Sequence, residues 1–290
     1  MDSTARKLRA LVREAVGEAM GPETGAVLSG GIDSSTITLL ARSFDEIPTF
    51  TGYYEGAAYD ERPWARLVAQ ADNHHEILIT PEDFVEHFDA MLRAARPPYQ
   101  GMGTFGQYMV AAHASLYVDR VLSGEGGDEL FGGYCRLLVV AGEERPDGYE
   151  DYQLPEDYPE TLEEALAWDW QRLPDLLAVD EQMTSAFGLE AVAPFCDERV
   201  VEFVLDLPPE LRVGKKLLKQ AMRDLVPSEI LERTDKRGFP APLVEWAQRE
   251  PVRSFVKDRI DYLPRPDKPW DRGWWLDLCE RSNPPLEAVA

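Results

Sequence analysis

Two glycine-rich turns contain most of the residues whose types and spacing could do chemistry. The first is SGGIDSS at residues 29–35, between a short apolar run and a helical pattern. Glycine lets the backbone approach a ligand closely, and N–H groups at the start of a helix attract anions. With a Ser or Asp expected as the N-cap, this strand–turn–helix predicts a cradle for phosphate groups. It lacks the Gly-Lys-Ser/Thr ending of the Walker A loop.

The second turn is SGEGGDELFGGY at residues 123–134, directly after a predicted strand. Two acidic residues, Glu125 and Asp128, lie among its glycines. Carboxylates at this spacing can hold Mg²⁺ or face a reacting centre. A helix-capping acidic turn would account for Glu129 but is a poor explanation for the whole run.

These motifs resemble those of known families. Residues 29–34 are similar to the pyrophosphate loop, S-G-G-x-D-S, of ATP pyrophosphatases, which cleave ATP to AMP and pyrophosphate while adenylating a substrate. The second turn resembles the S-G-E-G-x-D-E-x-F-G-G-Y stretch of the asparagine synthetase family, in its synthetase domain. Further similar stretches are Tyr59-Asp60-Glu61, His74-His75-Glu76, Gly188-Leu189-Glu190-Ala191, Pro194-Phe195-Cys196-Asp197 and Thr234-Asp235-Lys236-Arg237-Gly238-Phe239. The resemblance covers roughly residues 20–285.

The resemblance implies an α/β fold, with a parallel five-stranded-type sheet flanked by helices and a mostly helical C-terminal part. This is the adenine nucleotide alpha hydrolase-like fold of ATP pyrophosphatases. It further implies a single synthetase domain over residues 1–290. Within it, a nucleotide-binding core spans about 20–135, an acidic loop spans 142–160, and a helical part at 161–290 completes the site.

The resemblance also implies a site for ATP and Mg²⁺. Glu125 lies where the family has the essential glutamate that governs formation and use of an acyl-adenylate. Lys236 would neutralise the departing pyrophosphate, since a cation aimed at developing charge supplies electrostatic catalysis. Asp33 and Asp128 would ligate Mg²⁺. The nucleotide-binding residues implied are Val27, Leu28, Ser29, Gly30, Gly31, Asp33, Ser34, Ser123 and Gly124.

These roles predict an ATP-dependent, amide-forming ligase. A carboxylate, with the aspartate side chain as first choice, is adenylated, and ammonia then gives asparagine, AMP and pyrophosphate. The expected partners are therefore small molecules: ATP, aspartate or another carboxylate, and ammonia. A separate glutaminase and a homodimer stay open as protein partners.

Two departures from the family pattern bear on the substrates. Residue 2 is Asp2, whereas the family's glutaminase domain starts with a nucleophilic cysteine, and no glutaminase-sized segment precedes the resemblance. We therefore expect the chain to use free ammonia or ammonia from another protein. Val192 stands where the family has an Arg, so a carboxylate other than aspartate stays open as the substrate.

The elements that must position these turns alternate along the first half of the chain. Helical spacing predicts helices at 4–20, 33–42, 61–70 and 82–95, and one through 110–116 after the glycine-rich stretch 101–106. Strands are predicted at 26–28, 49–54, 76–79 and 120–122. This alternation is typical of a parallel sheet, in which ligands bind beyond the carboxyl ends of the strands. The segment 142–160 holds eight acidic residues and one Arg, and predicts a solvated loop.

The charge of the chain excludes some partners. Its 290 residues include 53 Asp or Glu and 30 Lys or Arg, giving a net charge of -23. Such a field repels phosphate backbones and anionic membranes, so neither nucleic acid nor a membrane is an expected partner. Adaptation to a salt-rich cytoplasm is the preferred interpretation, and an acidic protein at ordinary salt is the alternative.

The cysteines and the apolar stretches indicate the compartment. Three cysteines lie far apart without a C-x-x-C pair, as suits a reducing cytosol. The chain has neither an apolar stretch long enough for a membrane span nor the pattern of a signal peptide, so a cytoplasmic location is predicted.

Three other functions remain as alternatives. β-Lactam synthetases use the same domain to close a ring but carry a tyrosine at the position of Glu125. Enzymes that modify tRNA share the first motif, but they need cysteines or a basic surface. A non-catalytic subunit that serves a separate glutaminase is the third, and the intact motifs weigh against it.

Overall fold

Five parallel strands form one sheet, and apolar side chains on both of its faces explain why it is buried. In the computed structural model, residues 2–56, 60–96, 99, 101–235, 241–264 and 272–282 are described. The strands are β1 (Thr24–Val27), β2 (Thr49–Tyr53), β3 (His74–Leu78), β4 (Arg120–Leu122) and β5 (Glu190–Val192). Their order in the sheet is β3-β2-β1-β4-β5, and every neighbouring pair is parallel. The predicted α/β fold with a five-stranded parallel sheet is thereby confirmed.

Helices cover both faces of the sheet. In the first half they are α1 (Ser3–Ala19), α2 (Ile32–Ala41), α3 (Arg62–Val68), α4 (Pro81–Ala94), α5 (Gly103–Ala114), α6 (Gly127–Phe131) and α7 (Cys135–Ala141). In the second half they are α8 (Leu162–Trp170), α9 (Leu173–Ser185), α10 (Glu198–Leu205), α11 (Pro209–Arg212), α12 (Lys216–Met222), α13 (Ser228–Leu231), α14 (Leu243–Trp246), α15 (Val252–Lys257) and α16 (Arg272–Ser282). Three-residue 3₁₀ turns lie at Ala71–Asn73, Pro194–Cys196 and Val213–Lys215.

Alternate residues of the central strands point into two separate cores. Ala26 and Leu122 face a core that α1, α2, α10 and α12 contribute to. Phe50 and Val121 face a second core built with α4, α5, α9 and the last helices, which includes the buried Trp274. A sheet buried on both faces leaves its strand ends as the place where polar groups can gather.

Two regions differ from the sequence-based expectation. α5 begins at Gly103, inside the glycine-rich stretch that was expected to precede the helix. Gly106 is buried there among Phe105 and Val110, so packing outweighs the low helix propensity of glycine. The part beyond residue 161 was predicted to be mostly helical, yet it contributes β5, the edge strand beside β4. A strand of three residues is too short for its periodicity to be recognised.

The acidic segment 142–160 has no helix or strand, as predicted, but it is not solvated along its whole length. Tyr158 is 6% exposed and packs in a small core with Leu137, Leu166 and Val213. Asp147 is bound to Thr234, through an N–H···O bond of 3.2 Å to the Thr234 carbonyl and a side-chain bond of 2.7 Å. Burial of the Tyr158 ring stabilises this segment and offsets the entropy lost when the segment becomes ordered, although its charged residues favour exposure to water.

The strand order places a topological switch point beside β1. The chain runs from β1 to β2 and β3 on one side, and β4 and β5 lie on the other. Ligands of open α/β sheets bind in the crevice at such a point. Both glycine-rich turns begin there, because one follows β1 and the other follows β4.

Candidate active site

The two glycine-rich turns pack directly against each other at the carboxyl edge of the sheet. β1 and β4 are hydrogen-bonded neighbours, with Ala26 opposite Leu122. A Cβ on Gly124 would lie 2.7 Å from the backbone nitrogen of Ser34, and one on Gly127 would lie 2.5 Å from the Asp33 carboxylate. Any larger residue at Gly124 or Gly127 would push the turns apart. Glycine is therefore required here for the contact between the turns, before any ligand is considered.

The first turn is held by its own serines. The Ser29 and Ser34 hydroxyls lie 3.0 Å apart, and the Ser29 N–H donates to Ser34 Oγ over 3.1 Å. Gly30 has a φ of +68°, and a Cβ there would lie 2.5 Å from the backbone nitrogen of Ala65. Glycine at this position therefore lets the turn pack closely against α3. Helix α2 begins at Ile32 with Gly31 as its N-cap and no side-chain cap. The expected Ser or Asp cap is wrong, and the start of α2 keeps backbone N–H groups for an anion.

A cavity of about 270 Å³ opens beside the two turns. Most of the residues predicted for the site line it: Val27, Leu28, Ser29, Asp33, Ser34, Ser123, Gly124, Glu125 and Asp128. Gly30 and Gly31 are not part of the lining, although they shape the turn. Lys236 lies outside the described residues, so its role stays a prediction.

Asp33 and Asp128 converge on one cation, the ammonium group of Lys215. Lys215 Nζ lies 2.5 Å from Asp128 Oδ1 and also donates to Asp33 Oδ2. Burial alone would lower the pKa of Lys215, but the charges of Asp128 and Asp33 outweigh it and raise that pKa. The lysine therefore stays protonated at every ordinary pH, and it neutralises part of the charge of the two carboxylates.

Lys215 was not among the residues predicted from the sequence. Its only local signal is the lysine pair 215–216 after a glycine, in a chain with seven lysines. Lys215 comes from the turn before α12, far along the chain from both motifs. Gly133 leaves the space that the Lys215 side chain occupies, because a Cβ at Gly133 would lie 1.9 Å from Asp128 Oδ1 and 2.2 Å from Lys215 Cε.

The predicted Mg²⁺ ligands fit that metal when phosphate groups complete the shell. Mg²⁺ is usually bound by one or two carboxylates together with substrate phosphates and waters. Two carboxylates, Asp33 and Asp128, meet around a positive charge beside the start of α2. Within the described ranges, no group of three or more His, Cys, Asp or Glu side chains is arranged to hold a metal ion. The chain thus offers two ligands, and phosphate oxygens must supply others.

The inner part of the cavity contains a second pair of carboxyl groups, Glu125 and Asp180. Asp180, on α9, accepts a hydrogen bond of 2.9 Å from Gln107 Nε2 and another from the Ser123 hydroxyl. Burial is the main cause that raises the pKa of Glu125 well above its usual value, and the charge of Asp180 adds to it. Burial also raises the pKa of Asp180. Among the described residues that line the cavity there is no Lys or Arg.

The carboxyl group of Glu129, in the second turn, is hydrogen-bonded to a network of aromatic and charged side chains. The Tyr134 hydroxyl donates to Glu129, and burial raises the pKa of Glu129 to about 6. The Arg136 guanidinium lies 3.8 Å from the Tyr134 ring centroid and 2.6 Å from Asp169. This network connects the acidic segment with the site, because Tyr158 donates to Asp169 over 3.1 Å.

An ion pair borders the cavity on the side of α3. Arg233 is 5% exposed and lies 2.6 Å from Glu61, which lines the cavity. The guanidinium also lies 4.5 Å from the Trp64 ring centroid. Thr234, the next residue, is bound to Asp147. The described start of the loop predicted to carry Lys236 is thus fixed on both sides, to α3 and to the acidic segment.

Val192 supplies no charge at the carboxyl edge. It is partly buried against the core on the α1 side, and its carbonyl accepts the Ser123 N–H over 2.9 Å. Glu190, two residues earlier, pairs with Arg120 at 2.7 Å near the other end of the strands. No helix of the described chain is both long and apolar enough to span a membrane.

The sequence is similar to known proteins over most of its length. Residues 7–275 match the family model described as asparagine synthase. The asparagine synthetase [glutamine-hydrolyzing] 1 of Bacillus subtilis (strain 168) is 26% identical over 336 residues, which cover 89% of this chain and 53% of that protein. The asparagine synthetase [glutamine-hydrolyzing] of Rattus norvegicus is 28% identical over 285 residues, or 90% of this chain and 48% of the relative.

A third relative is more similar over a shorter stretch. The putative asparagine synthetase [glutamine-hydrolyzing] 2 of Methanocaldococcus jannaschii is 39% identical over 119 residues, 39% of this chain and 23% of its own length. The chain spans about half the length of the Bacillus and rat relatives.

Proposed function

The chain belongs to the asparagine synthase family, and we propose that it is an ATP-dependent synthetase that forms an amide through an acyl-adenylate. We further propose that residues 1–290 act as one synthetase domain. One observation carries the proposal: two glycine-rich turns meet at the switch point of the sheet around a single cavity. One end of that cavity suits phosphates, and the other end holds carboxyl groups with no Lys or Arg among the described lining residues.

The proposed nucleotide site uses the first turn and the strand ends. Backbone N–H groups at the start of α2 and in the preceding turn at Gly30 and Gly31 bind the phosphate oxygens. No side chain caps this helix in their place. The adenosine packs against Val27 and Leu28 on one side and against Ser123 and Gly124 on the other. Asp33 and Asp128 would hold Mg²⁺, which when bound would offset phosphate charge.

The proposed reaction has two steps. A carboxylate oxygen of the substrate attacks the α-phosphorus of ATP, the bond to the bridging oxygen breaks, and pyrophosphate leaves. Ammonia then attacks the acyl carbon, AMP leaves with the bonding electron pair, and one proton is released as the amide forms. Passing through an activated intermediate replaces one difficult condensation by two easier steps.

Glu125 is proposed as the catalytic group that takes the proton from the attacking amine. Its carboxyl group lines the cavity, and burial, with a further contribution from the charge of Asp180, raises its pKa well above the usual value. A carboxylate with a raised pKa is a stronger base than an exposed one. Lys236 is proposed to neutralise charge on the departing pyrophosphate, as the resemblance implies.

Aspartate is the first candidate for the carboxylate, and a specific observation supports a second. The described cavity lining contains six Asp or Glu residues and neither Lys nor Arg, and Val192 is apolar. The second carboxylate of aspartate therefore meets no cationic side chain among the described lining residues, and the nearby Lys215 and Arg233 are already paired with lining carboxylates. A monocarboxylate, amidated by the same chemistry, is the second candidate.

The test measures pyrophosphate, AMP and amide formed from Mg-ATP. Aspartate is supplied alone, with ammonium and with glutamine, and a panel of monocarboxylates is run in parallel. The assay is made at about 2 M KCl and at low salt, since the Debye length falls to about 3 Å at 1 M. Asparagine formed with ammonium supports an ammonia-dependent synthetase, and turnover with glutamine indicates another ammonia source. Folded protein that binds ATP yet releases no pyrophosphate with any carboxylate would overturn the proposal.

A further inference from the structure

The Lys215 ammonium occupies the point where the two proposed metal ligands converge. It donates to Asp33 and lies 2.5 Å from Asp128 Oδ1, and its side chain is 11% exposed. An ammonium ion and a divalent metal cannot both lie between the same carboxylate oxygens, because Mg²⁺ needs those oxygens at about 2.0–2.1 Å. In the molecule as it stands, the protein's own cation fills this position.

The backbone is shaped to direct this lysine inward. Gly214 and Lys215 both have left-handed φ angles, of +65° and +59°. This conformation is costly for a lysine and persists only where its surroundings hold it. Gly133 leaves the space through which the side chain passes. Lys216, the next residue, instead lies at the surface and pairs with Glu143. Lys215 is buried and Lys216 is exposed, so Lys216 provides a matched control for substitutions at Lys215.

Asp33 and Lys215 lie beside the start of α2, so their charges affect phosphate binding there. Asp33 lies in the first turn of α2, next to the N–H groups proposed for phosphate. Without a cation, its carboxylate would repel an incoming phosphate. Lys215 removes that repulsion before any ligand binds. Phosphates bound at the start of α2 would offer the ammonium new oxygen partners, and the two carboxylates could then accept a metal.

We propose that Lys215 keeps the Asp33 and Asp128 pair closed to divalent metal until a nucleotide binds. The metal then enters with the nucleotide, as the ammonium moves from the carboxylates to the phosphates. Lys215 is in this view a positioning residue that couples metal binding to nucleotide binding. The first half of the proposal is independent of the reaction, and only the second half rests on the proposed function.

The experiment measures Mn²⁺ binding by electron paramagnetic resonance. Mn²⁺ stands in for Mg²⁺, and the assay contains about 1 M KCl so that surface carboxylates are screened. Wild type, Lys215→Met and Lys216→Met are titrated without nucleotide, and each is compared with its Asp128→Asn partner. The difference between partners isolates the metal bound at this site. A second series contains the α,β-methylene analogue of ATP, which cannot release pyrophosphate.

Without nucleotide, we expect no Asp128-dependent Mn²⁺ binding in wild type or in Lys216→Met. Lys215→Met should bind Mn²⁺ more tightly, by at least about tenfold, because a repelling charge is removed. With the ATP analogue, wild type should gain Asp128-dependent binding. Wild type that binds Mn²⁺ without nucleotide as tightly as Lys215→Met would overturn the proposal. Folded Lys215→Met without Asp128-dependent binding would do the same.

Loss of Lys215 leaves two carboxylates without their partner, so a variant can fail to fold. Lys215→Gln keeps a donor for one carboxylate and serves as the second variant. The melting temperature with and without MgCl₂ gives a readout that needs no variant of Lys215: in the absence of nucleotide, a rise in wild type that is lost in Asp128→Asn contradicts the proposal. Failure of the ATP analogue to bind would count against the proposed function, whereas the nucleotide-free comparison would still decide the role of Lys215.

Discussion

Two pairs of carboxyl groups share one cavity, yet their surroundings give them opposite properties. Asp33 and Asp128 at the outer end bind the Lys215 ammonium between them. Glu125 and Asp180 at the inner end have no cation among the described lining residues, and burial raises the pKa of both. A single lysine from a distant part of the chain accounts for much of this difference. Residue type alone therefore does not tell which acids hold cations and which exchange protons.

The two ends of the cavity suit different chemistry. The outer pair suits a metal and phosphates, because its oxygen atoms already hold a cation beside the start of α2. Burial raises the pKa of both inner carboxyl groups, so each is a stronger base than an exposed carboxylate, as the proposed second step requires.

Glu125→Gln should have the largest effect on activity. Removing a general base typically lowers the rate by about 10²–10⁴-fold, so kcat for amide formation should fall within that range. Glutamine has nearly the same shape and carries no buried charge, so the melting temperature at pH 8 should not fall. Binding of the ATP analogue should stay within about twofold of wild type, since the outer pair is untouched. Unchanged turnover in the folded variant would remove Glu125 from the mechanism.

Gly133→Ala tests the outer pair by sterics alone. A Cβ there would lie 1.9 Å from Asp128 Oδ1 and 2.2 Å from Lys215 Cε, so both groups must move. Displacement by about 1 Å typically costs up to about 10²-fold in rate, and we expect a loss of about 10–100-fold in kcat/KM for ATP. Gly101→Ala is the matched control, because a Cβ at Gly101 has no neighbour within 4 Å. Equal kinetics of the two variants would mean that the Lys215 arrangement is not needed for activity.

Asp180→Asn addresses the inner pair through pH. Burial and then the charge of Asp180 raise the pKa of Glu125, and Glu129, Asp128 and Asp33 add smaller contributions. Without the Asp180 charge the pKa of Glu125 should fall, so the acidic limb of the kcat/KM profile should move to lower pH. The Asn side chain can still accept the Gln107 hydrogen bond. A limb that stays in place would show that Asp180 does not act on the titrating group.

The same variant has a signature in stability. A carboxyl group with a raised pKa binds more protons in the folded state, so it destabilises the fold above that pKa and ceases to do so below the unfolded value. Asp180→Asn should therefore melt at a higher temperature than wild type at pH 8. The difference should shrink as the pH falls toward about 4, where an unfolded Asp also becomes protonated. A constant difference across this range would point to packing as the cause.

The sequence predicted the two turns well because their signals are local. Glycines and acids directly after strands identified the carboxyl edge of the sheet, and the turns indeed meet there. It could not predict Lys215 or Asp180, because both come from the second half of the chain and reach the cavity through tertiary packing. β5 was missed for a related reason: three residues carry no periodicity, and pairing with β4 alone makes them a strand.

The smallest expected effect concerns a carboxylate that is neutralised away from the cavity. Asp169 pairs with Arg136 at 2.6 Å, as the outer pair does with Lys215, and Tyr158 donates to it over 3.1 Å. Tyr158→Phe removes this bond while Arg136 keeps the charge balanced, so we expect a loss of about 1–2 kcal/mol in the free energy of unfolding. The melting temperature should fall by about 2–8 °C. Because the Tyr158 hydroxyl is outside the cavity lining, kcat should stay unchanged.

For Tyr158→Phe, urea unfolding measures the expected loss of stability, and steady-state kinetics on the same preparation measure the expected unchanged kcat. Tyr149→Phe, in the same acidic segment but at a partly exposed tyrosine, serves as the control. If Tyr158→Phe lowers kcat while the free energy of unfolding holds, the network through Arg136 and Tyr134 acts on Glu129, and the acidic segment belongs to the site. If only stability falls, a neutralised carboxylate outside the cavity is structural, and the catalytic distinction remains between the inner and outer pairs.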